Sequence, residues 1–267
     1  MGRAKGIITG ACVCILAASA RAEAEEAAEL AKKTQNPVSD LVSLPFQYNI
    51  EFGLGPRNRD RHVLNIQPVA PVELNDRWNL ITRTILPITS APGFAPGEDR
   101  NTGLGDLSYT AFFSPSGAGS FTWGLGPVLS IPTATDTALG TGKWSIGPSA
   151  VALGMKGPWV AGALVSNVWS FAGDDDRPDV SFMTLQPFVN YNMQGGWYIT
   201  SSPILTANWE APEGEEWTVP LGGGFGRVFK AGGQAMNFQI QAFGYADAPT
   251  GGPDWALRFQ LQLLFPK

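Results

Sequence analysis

From Leu44 onward, apolar side chains alternate with polar or small ones. Leu44, Phe46, Tyr48, Ile50, Phe52 and Leu54 are set against Gln47, Asn49, Glu51 and Gly53. The last segment repeats the pattern, with Leu257, Phe259, Leu261, Leu263 and Phe265 against Arg258, Gln260 and Gln262. Successive side chains of a strand point to opposite faces, so each segment has one apolar and one polar face. A soluble β-sandwich shows the same alternation. The lengths of the segments and of the gaps between them must decide.

The pattern predicts strands near 43–54, 62–74, 78–88, 105–114, 121–132 and 144–155, then 159–171, 181–193, 197–209, 217–229, 235–246 and 255–265. Most exceed the five or six residues usual in soluble sheets and match the roughly 9–11 of a tilted membrane strand. Short gaps fall at Asn75-Asp76-Arg77, Pro115 to Ser120, Lys156-Gly157-Pro158, Gln194-Gly195-Gly196 and Lys230 to Gln234. Longer gaps fall between them, the longest from Thr89 to Leu104. Short turns alternating with longer loops over an even strand count predict an all-β fold. The expectation is a transmembrane antiparallel up-and-down β-barrel of about 12 strands over residues 43–267. Pro68, Pro127, Pro148, Pro187, Pro203 and Pro220 fall inside these strands. A closed barrel has no edge to hide a missing N–H, so they predict bulges or locally unpaired wall.

Ahead of the barrel, Glu23, Glu25, Glu26 and Glu29 precede Lys32 and Lys33, and Asn36-Pro37 follows. Acids early and bases late suit a helix dipole, so residues 23–42 are expected to form a short periplasmic helix and a possible plug. Residues 1–22 read as a signal peptide: Arg3 and Lys5, an apolar stretch from Gly6 to Ala18, then Ala20-Arg21-Ala22 for cleavage. Export to the bacterial outer membrane after that cleavage is the expected localisation.

The tryptophans bear on membrane against sandwich. Trp78, Trp123, Trp159 and Trp197 lie at or near short turns, and Trp144, Trp169, Trp209, Trp217 and Trp255 flank long connections. All nine therefore fall at strand ends, as in the two aromatic girdles that meet lipid head groups. A sandwich core would hold several in mid-strand.

Composition removes several function classes. No run approaches the roughly 18 apolar residues of a membrane helix. Both cysteines, Cys12 and Cys14, lie in the signal segment, leaving the mature chain no disulfide, thiol nucleophile or thiolate metal ligand. Three of the 18 basic residues and none of the 23 acids leave with that segment, so the mature net charge is −8. Nucleic acid is not an expected partner of so acidic a chain. The acids gather in the long connections, among them Asp174, Asp175, Asp176, Glu210, Glu213, Glu215 and Glu216. Expected partners are membrane lipid, lipopolysaccharide (bridged there by divalent ions), the outer-membrane assembly machinery and a small-molecule solute.

Several long segments resemble a known family. They include LVSLPFQYNIEFGLGP (Leu41 to Pro56), VLNIQPVAPVELNDRWNLITRTILPI (Val63 to Ile88), GLGDLSYTAFFSP (Gly103 to Pro115) and GGPDWALRFQLQLLFPK at the end. Together they resemble the bacterial meta-pathway phenol-degradation family, whose members are often labelled simply transporter or misnamed neuromedin U. The resemblance spans residues 40–267. It implies an outer-membrane barrel and the passage of aromatic or other small organic molecules, and it brings no catalytic residues.

Candidate chemistry is sparse. The single histidine, His62, has no serine two positions on, as the outer-wall esterase barrels require, and reads as a polar rim residue. With no second histidine or cysteine there is no expected metal site. Gly222-Gly223-Gly224-Phe225-Gly226 lacks the Lys-Ser/Thr of a phosphate loop and reads as close backbone approach in a strand. No catalytic residue and no cofactor are expected.

The inward register remains. Gln47, Asn49, Glu51, Asn65, Gln67, Arg83, Thr184, Gln186, Asn190, Asn192, Asn208, Asn237, Gln239, Gln241, Arg258, Gln260 and Gln262 fall on the polar face and are the expected lumen lining. The set is mainly amides, which donate and accept, and suits a neutral or weakly polar organic solute. The expected function is an outer-membrane channel or transporter for such solutes. The alternatives are a structural or adhesive barrel with a plugged lumen and acidic outer loops, a barrel enzyme, and a secreted sandwich.

Overall fold

The computed structural model describes residues 25, 27–93, 97–117 and 119–266. The expected signal segment and residues 23, 24 and 26 of the expected helix lie outside the described residues. A helix covers residues 27–34, and the strands follow. They are β1 (Val42–Leu54), β2 (Arg59–Ile66), β3 (Val69–Asn75), β4 (Trp78–Ala91), β5 (Asn101–Leu104), β6 (Leu107–Pro115), β7 (Phe121–Ile131) and β8 (Lys143–Lys156). Then come β9 (Trp159–Gly173), β10 (Ser181–Asn192), β11 (Trp197–Ser201), β12 (Leu205–Asn208), β13 (Trp217–Ala231), β14 (Gln234–Asp247) and β15 (Trp255–Phe265).

Each strand pairs antiparallel with the next around the ring, and β15 returns to β1 from Val42↔Phe265 to Phe52↔Trp255, leaving no edge. The segments β2–β3, β5–β6 and β11–β12 are each one wall strand with a short break, so the result is a closed antiparallel barrel of 12 strands. The turns after β3, β6, β8, β10 and β13 are short and lie at one end of the barrel, together with the start of β1 and the end of β15. The longer connections lie at the other end. We call these the turn end and the loop end.

The interior prolines sit where the hydrogen-bond ladder is interrupted. Pro127 and Pro148 face each other across β7 and β8, whose pairing is continuous there. On the far sides, β6–β7 has no rung between Thr110↔Val128 and Phe113↔Leu125, and β8–β9 none between Ile146↔Trp169 and Ser149↔Ser166. The missing N–H groups thus coincide with missing rungs rather than breaking intact ones. A glycine precedes each proline for a steric reason. A Cβ on Gly126 would lie 1.7 Å from the Ala111 carbonyl oxygen, and one on Gly147 would lie 1.7 Å from that of Asn167. Pro68 and Pro203 stand in the breaks of β2–β3 and β11–β12, and Pro220 at a register shift against β14. Pro187 pairs with Ala163 of β9, and on its other side it faces the β11–β12 break, with no rung between Leu185↔Leu205 and Val189↔Ser201.

Apolar side chains fill the turn end inside the barrel. Ile81, Phe112, Val151, Leu153, Val160 and Leu164 pack around Val38, and Tyr198, Val228, Ala235 and Leu264 pack around Leu30, Ala31 and Leu41. The N-terminal segment therefore supplies core to both clusters. The tryptophans stand at strand ends. Trp78 meets Trp123 edge-on at the turn end (5.9 Å between centroids), and Trp209 meets Trp217 at the loop end (5.6 Å). Trp159 contacts Tyr191, Trp197 contacts Phe225, and Trp255 stacks on Phe52.

Candidate functional site: the inner cavity

Above the packed turn end, the barrel encloses a cavity of about 170 Å³. Its floor is residues 34–37, 39 and 41, and its walls come from facing strands. Nine of the residues expected in the lumen line it: Gln47, Gln67, Arg83, Gln186, Asn190, Asn237, Gln239, Gln260 and Gln262. Asn49, Asn65, Gln241 and Arg258 connect to that group or its neighbours from nearer the loop end. Asn192 lies below it at the turn end, and Asn208 and Thr184 are nearer the loop-end mouth, in register with Phe182 and Thr206.

Alternation puts Gln47 and Asn49 of β1, Asn65 of β2, Asn237, Gln239 and Gln241 of β14, and Gln260 and Gln262 of β15 on the inner face, so amides from adjacent strands meet. Gln67 donates to Gln47 Oε1 at 3.3 Å, and Asn49 and Asn65 reach the same oxygen at 3.4 Å. Gln47 in turn donates to Gln260 (3.3 Å), and Gln260 to Gln262 (3.5 Å), which also accepts from Asn237 (3.3 Å). These long bonds to shared acceptors leave room for exchange with a solute's polar groups.

Two guanidinium groups stand at this network. Arg83 Nη2 donates to Gln67 Oε1 at 2.6 Å. Arg258 donates through Nε to Asn49 Oδ1 (3.0 Å) and through Nη1 to the Ser202 carbonyl (2.8 Å), and lies 4.8 Å above the Phe243 ring. The inward acid Glu51 belongs to Arg61, at 2.5 Å, and accepts from the Tyr245 hydroxyl at 3.4 Å. Gln241 closes the break between β11 and β12: its Oε1 accepts from Ser202 N at 3.0 Å, and its Nε2 donates to Ser202 Oγ at 2.9 Å. A buried wall defect is thereby hydrogen-bonded from within.

Sequence reasoning missed two parts of the site, a tyrosine and an apolar patch of wall; the floor falls in residues 23–42, expected there as a possible plug. Tyr198 is buried, and its hydroxyl donates to Asn237 Oδ1 (2.7 Å) and lies 3.1 Å from Gln239 Oε1. Its signal was the glycine opposite, since a Cβ on Gly226 would fall 2.3 Å from the ring. Leu164 and Phe188 form an apolar patch of wall, and Thr34 to Leu41 form the floor.

His62 lies away from the cavity, on the outward face near the loop end. Its Nδ1 is 2.7 Å from the Tyr48 hydroxyl and its Nε2 contacts Asp60, which also accepts from Arg100 (2.9 Å). Ser90 stands opposite His62 in register, yet its hydroxyl pairs with Thr102 at 2.8 Å. No serine is bonded to the imidazole among the described residues. Metal-binding groups of His, Cys, Asp and Glu are also absent among them.

The class defined by these features is a closed twelve-strand barrel of the outer-membrane type with a polar inner cavity. No family model and no curated protein matches the chain. Among solved structures, it is similar to an outer membrane channel from Pseudomonas putida F1, at 16% identity and a TM-score of 0.60 over 84% of this chain and 94% of that one. The β domain of the Bordetella autotransporter BrkA is more distant (11% identity, TM-score 0.46, 85% and 100% covered). So is the Salmonella typhi outer membrane phospholipase dimer with bound calcium (10%, 0.44, 88% and 96%). The likeness to the channel, at 16% identity, shows the shared barrel fold.

Proposed function

We propose that the protein is a bacterial outer-membrane channel for small organic solutes of about one-ring size. The observation that carries this reading is the amide-lined cavity inside a closed barrel. A barrel of 12 strands is wider than one filled by its own side chains. A cavity of about 150 Å³ in a protein interior admits benzene, so 170 Å³ suits a single ring. The similarity to an outer membrane channel and the resemblance to the phenol-degradation family support the same reading. On it, the signal peptide is removed on export, the assembly machinery inserts the barrel, and the tryptophan rings anchor it at both head-group levels. The turn end then faces the periplasm, residues 27–41 act as a plug, and the acidic loops meet lipopolysaccharide. The test is swelling of liposomes carrying the mature protein in benzyl alcohol, benzamide and small sugars. Swelling above that of empty liposomes supports the reading, and impermeability to all of them both with and without residues 23–41 contradicts it.

A second reading, a structural or adhesive barrel with a closed lumen, is favoured by one observation: Leu30, Val38 and Leu41 are core residues of the barrel interior. Removing residues 23–41 separates the two readings, since only a plugged channel gains permeability.

A further inference from the structure

The lumen holds cationic charge that its own acids do not neutralise. Arg83 has five N–H donors and makes one hydrogen bond among the described residues, to the neutral Gln67. It is half-buried, and its exposed part lies on the cavity wall. Arg258 is buried, its hydrogen bonds also go to neutral partners, and it lies within the field of both Glu51 and Arg83. Glu51 is held by Arg61. Placing two unpaired guanidinium groups inside a barrel wall is costly without a counter-charge, and ionisable groups at membrane depth mark solute paths. Arg258 has a structural task at the Ser202 carbonyl; no such task occupies the rest of Arg83.

On the far wall of the same cavity, Leu164 and Phe188 form an apolar patch flanked by Gln186 and Asn190. We infer that the cavity is a binding site for small organic carboxylates. The carboxylate sits on Arg83, within the field of Arg258, and the single-ring body lies against Phe188 and Leu164. A planar guanidinium fork matches a carboxylate, and the amides around it satisfy the remaining lone pairs. The inference rests on the proposed reading of the lumen as a solute path and narrows it, since the amides alone suit a neutral solute.

The test is calorimetric titration of the folded mature chain in detergent with sodium benzoate, benzamide and sodium acetate at low salt. Benzoate is expected to bind about tenfold or more tightly than benzamide, which lacks the charge, and than acetate, which lacks the ring. In Arg83→Gln the preference over benzamide should disappear while benzamide binding stays. No benzoate binding, equal binding of benzoate and benzamide, or a preference that survives in Arg83→Gln overturns the inference. If that variant lacks the heat-dependent gel mobility of a folded barrel, wild-type protein at about 20 and about 500 mM salt decides. The preference must then fall with screening, and one that does not fall overturns the inference. Liposomes that swell with protein that ignores benzoate contradict this inference alone. Benzoate binding by a protein that passes no solute contradicts the transport reading alone.

Discussion

Gln35 and Asn192 hold each other by two amide hydrogen bonds, Gln35 Nε2 donating to Asn192 Oδ1 at 2.9 Å and Asn192 Nδ2 donating to Gln35 Oε1 at 3.0 Å. They are 157 positions apart, and the pair ties the N-terminal segment to the end of β10. Two such bonds contribute about 1–3 kcal/mol together, roughly a five- to hundredfold change in a docking equilibrium. Asn192→Ala should therefore speed tryptic cleavage after Lys32 and Lys33 several-fold in the folded barrel. Unchanged cleavage would mean that the apolar contacts alone hold the segment.

The pair Tyr198 and Gly226 makes a second prediction. Tyr198→Phe leaves Asn237 and Gln239 without their shared donor, at a cost of about 1–3 kcal/mol. Gly226→Ala puts a methyl group against the ring and should cost a similar amount by overpacking. Urea unfolding followed by the shift in gel mobility reads both.

The glycine–proline steps give an asymmetric expectation. Pro127→Ala restores an N–H beside a missing rung and should leave the barrel folded. Gly126→Ala drives a side chain into the Ala111 carbonyl oxygen, a backbone atom that cannot step aside, and should lower folding yield sharply. Refolding yields of the two variants, side by side, check this.

At the loop end, Glu215 accepts hydrogen bonds from Thr250 N and from Thr250 Oγ1 (2.6 Å), joining two loops. These bonds lower the Glu215 pKa below the usual carboxylate value, against a smaller opposing effect of desolvation. A carboxylate with a depressed folded-state pKa stabilises the clasp above its unfolded pKa. That contribution is lost as pH falls through the folded value. The protection factor of the Thr250 amide, its exchange relative to an unstructured peptide at the same pH, should thus be high at pH 7 and fall once the medium is more acidic than the ordinary glutamate range. In Glu215→Gln the pH dependence should vanish.

Much of the wall was legible in the chain. β1, β14 and β15 alternate polar-in and apolar-out, so period two indicated their extents and their inward residues together. The opposite half, β4 and β6 to β9, is apolar inside the turn end as well as outside. There Phe112, Val151 and Val160 carry no polar register to read. Strand breaks were blurred because β2 and β3, or β11 and β12, continue one wall strand across a proline. The floor of the cavity was not legible. Its contacts join Gln35 to Asn192 and Leu41 to Leu264, and nothing local in residues 23–42 says whether they enter the barrel or lie outside it. Arg83 and Arg258 looked like two exceptions in a list of amides. Only the ring closure of β15 onto β1 brings them to one network.

On the proposed reading, the solute path is closed at the turn end by the N-terminal segment. Fully burying Leu30, Val38 and Leu41 stabilises the docked segment by up to about 1.5–3 kcal/mol each, so the open state is rare at rest. The most direct measurement is single-channel conductance in planar bilayers, comparing the mature chain with one lacking residues 23–41. Rare, brief openings are expected for the first and a steady open level for the second. Silence from both, in protein that shows folded-barrel gel mobility, would contradict that reading.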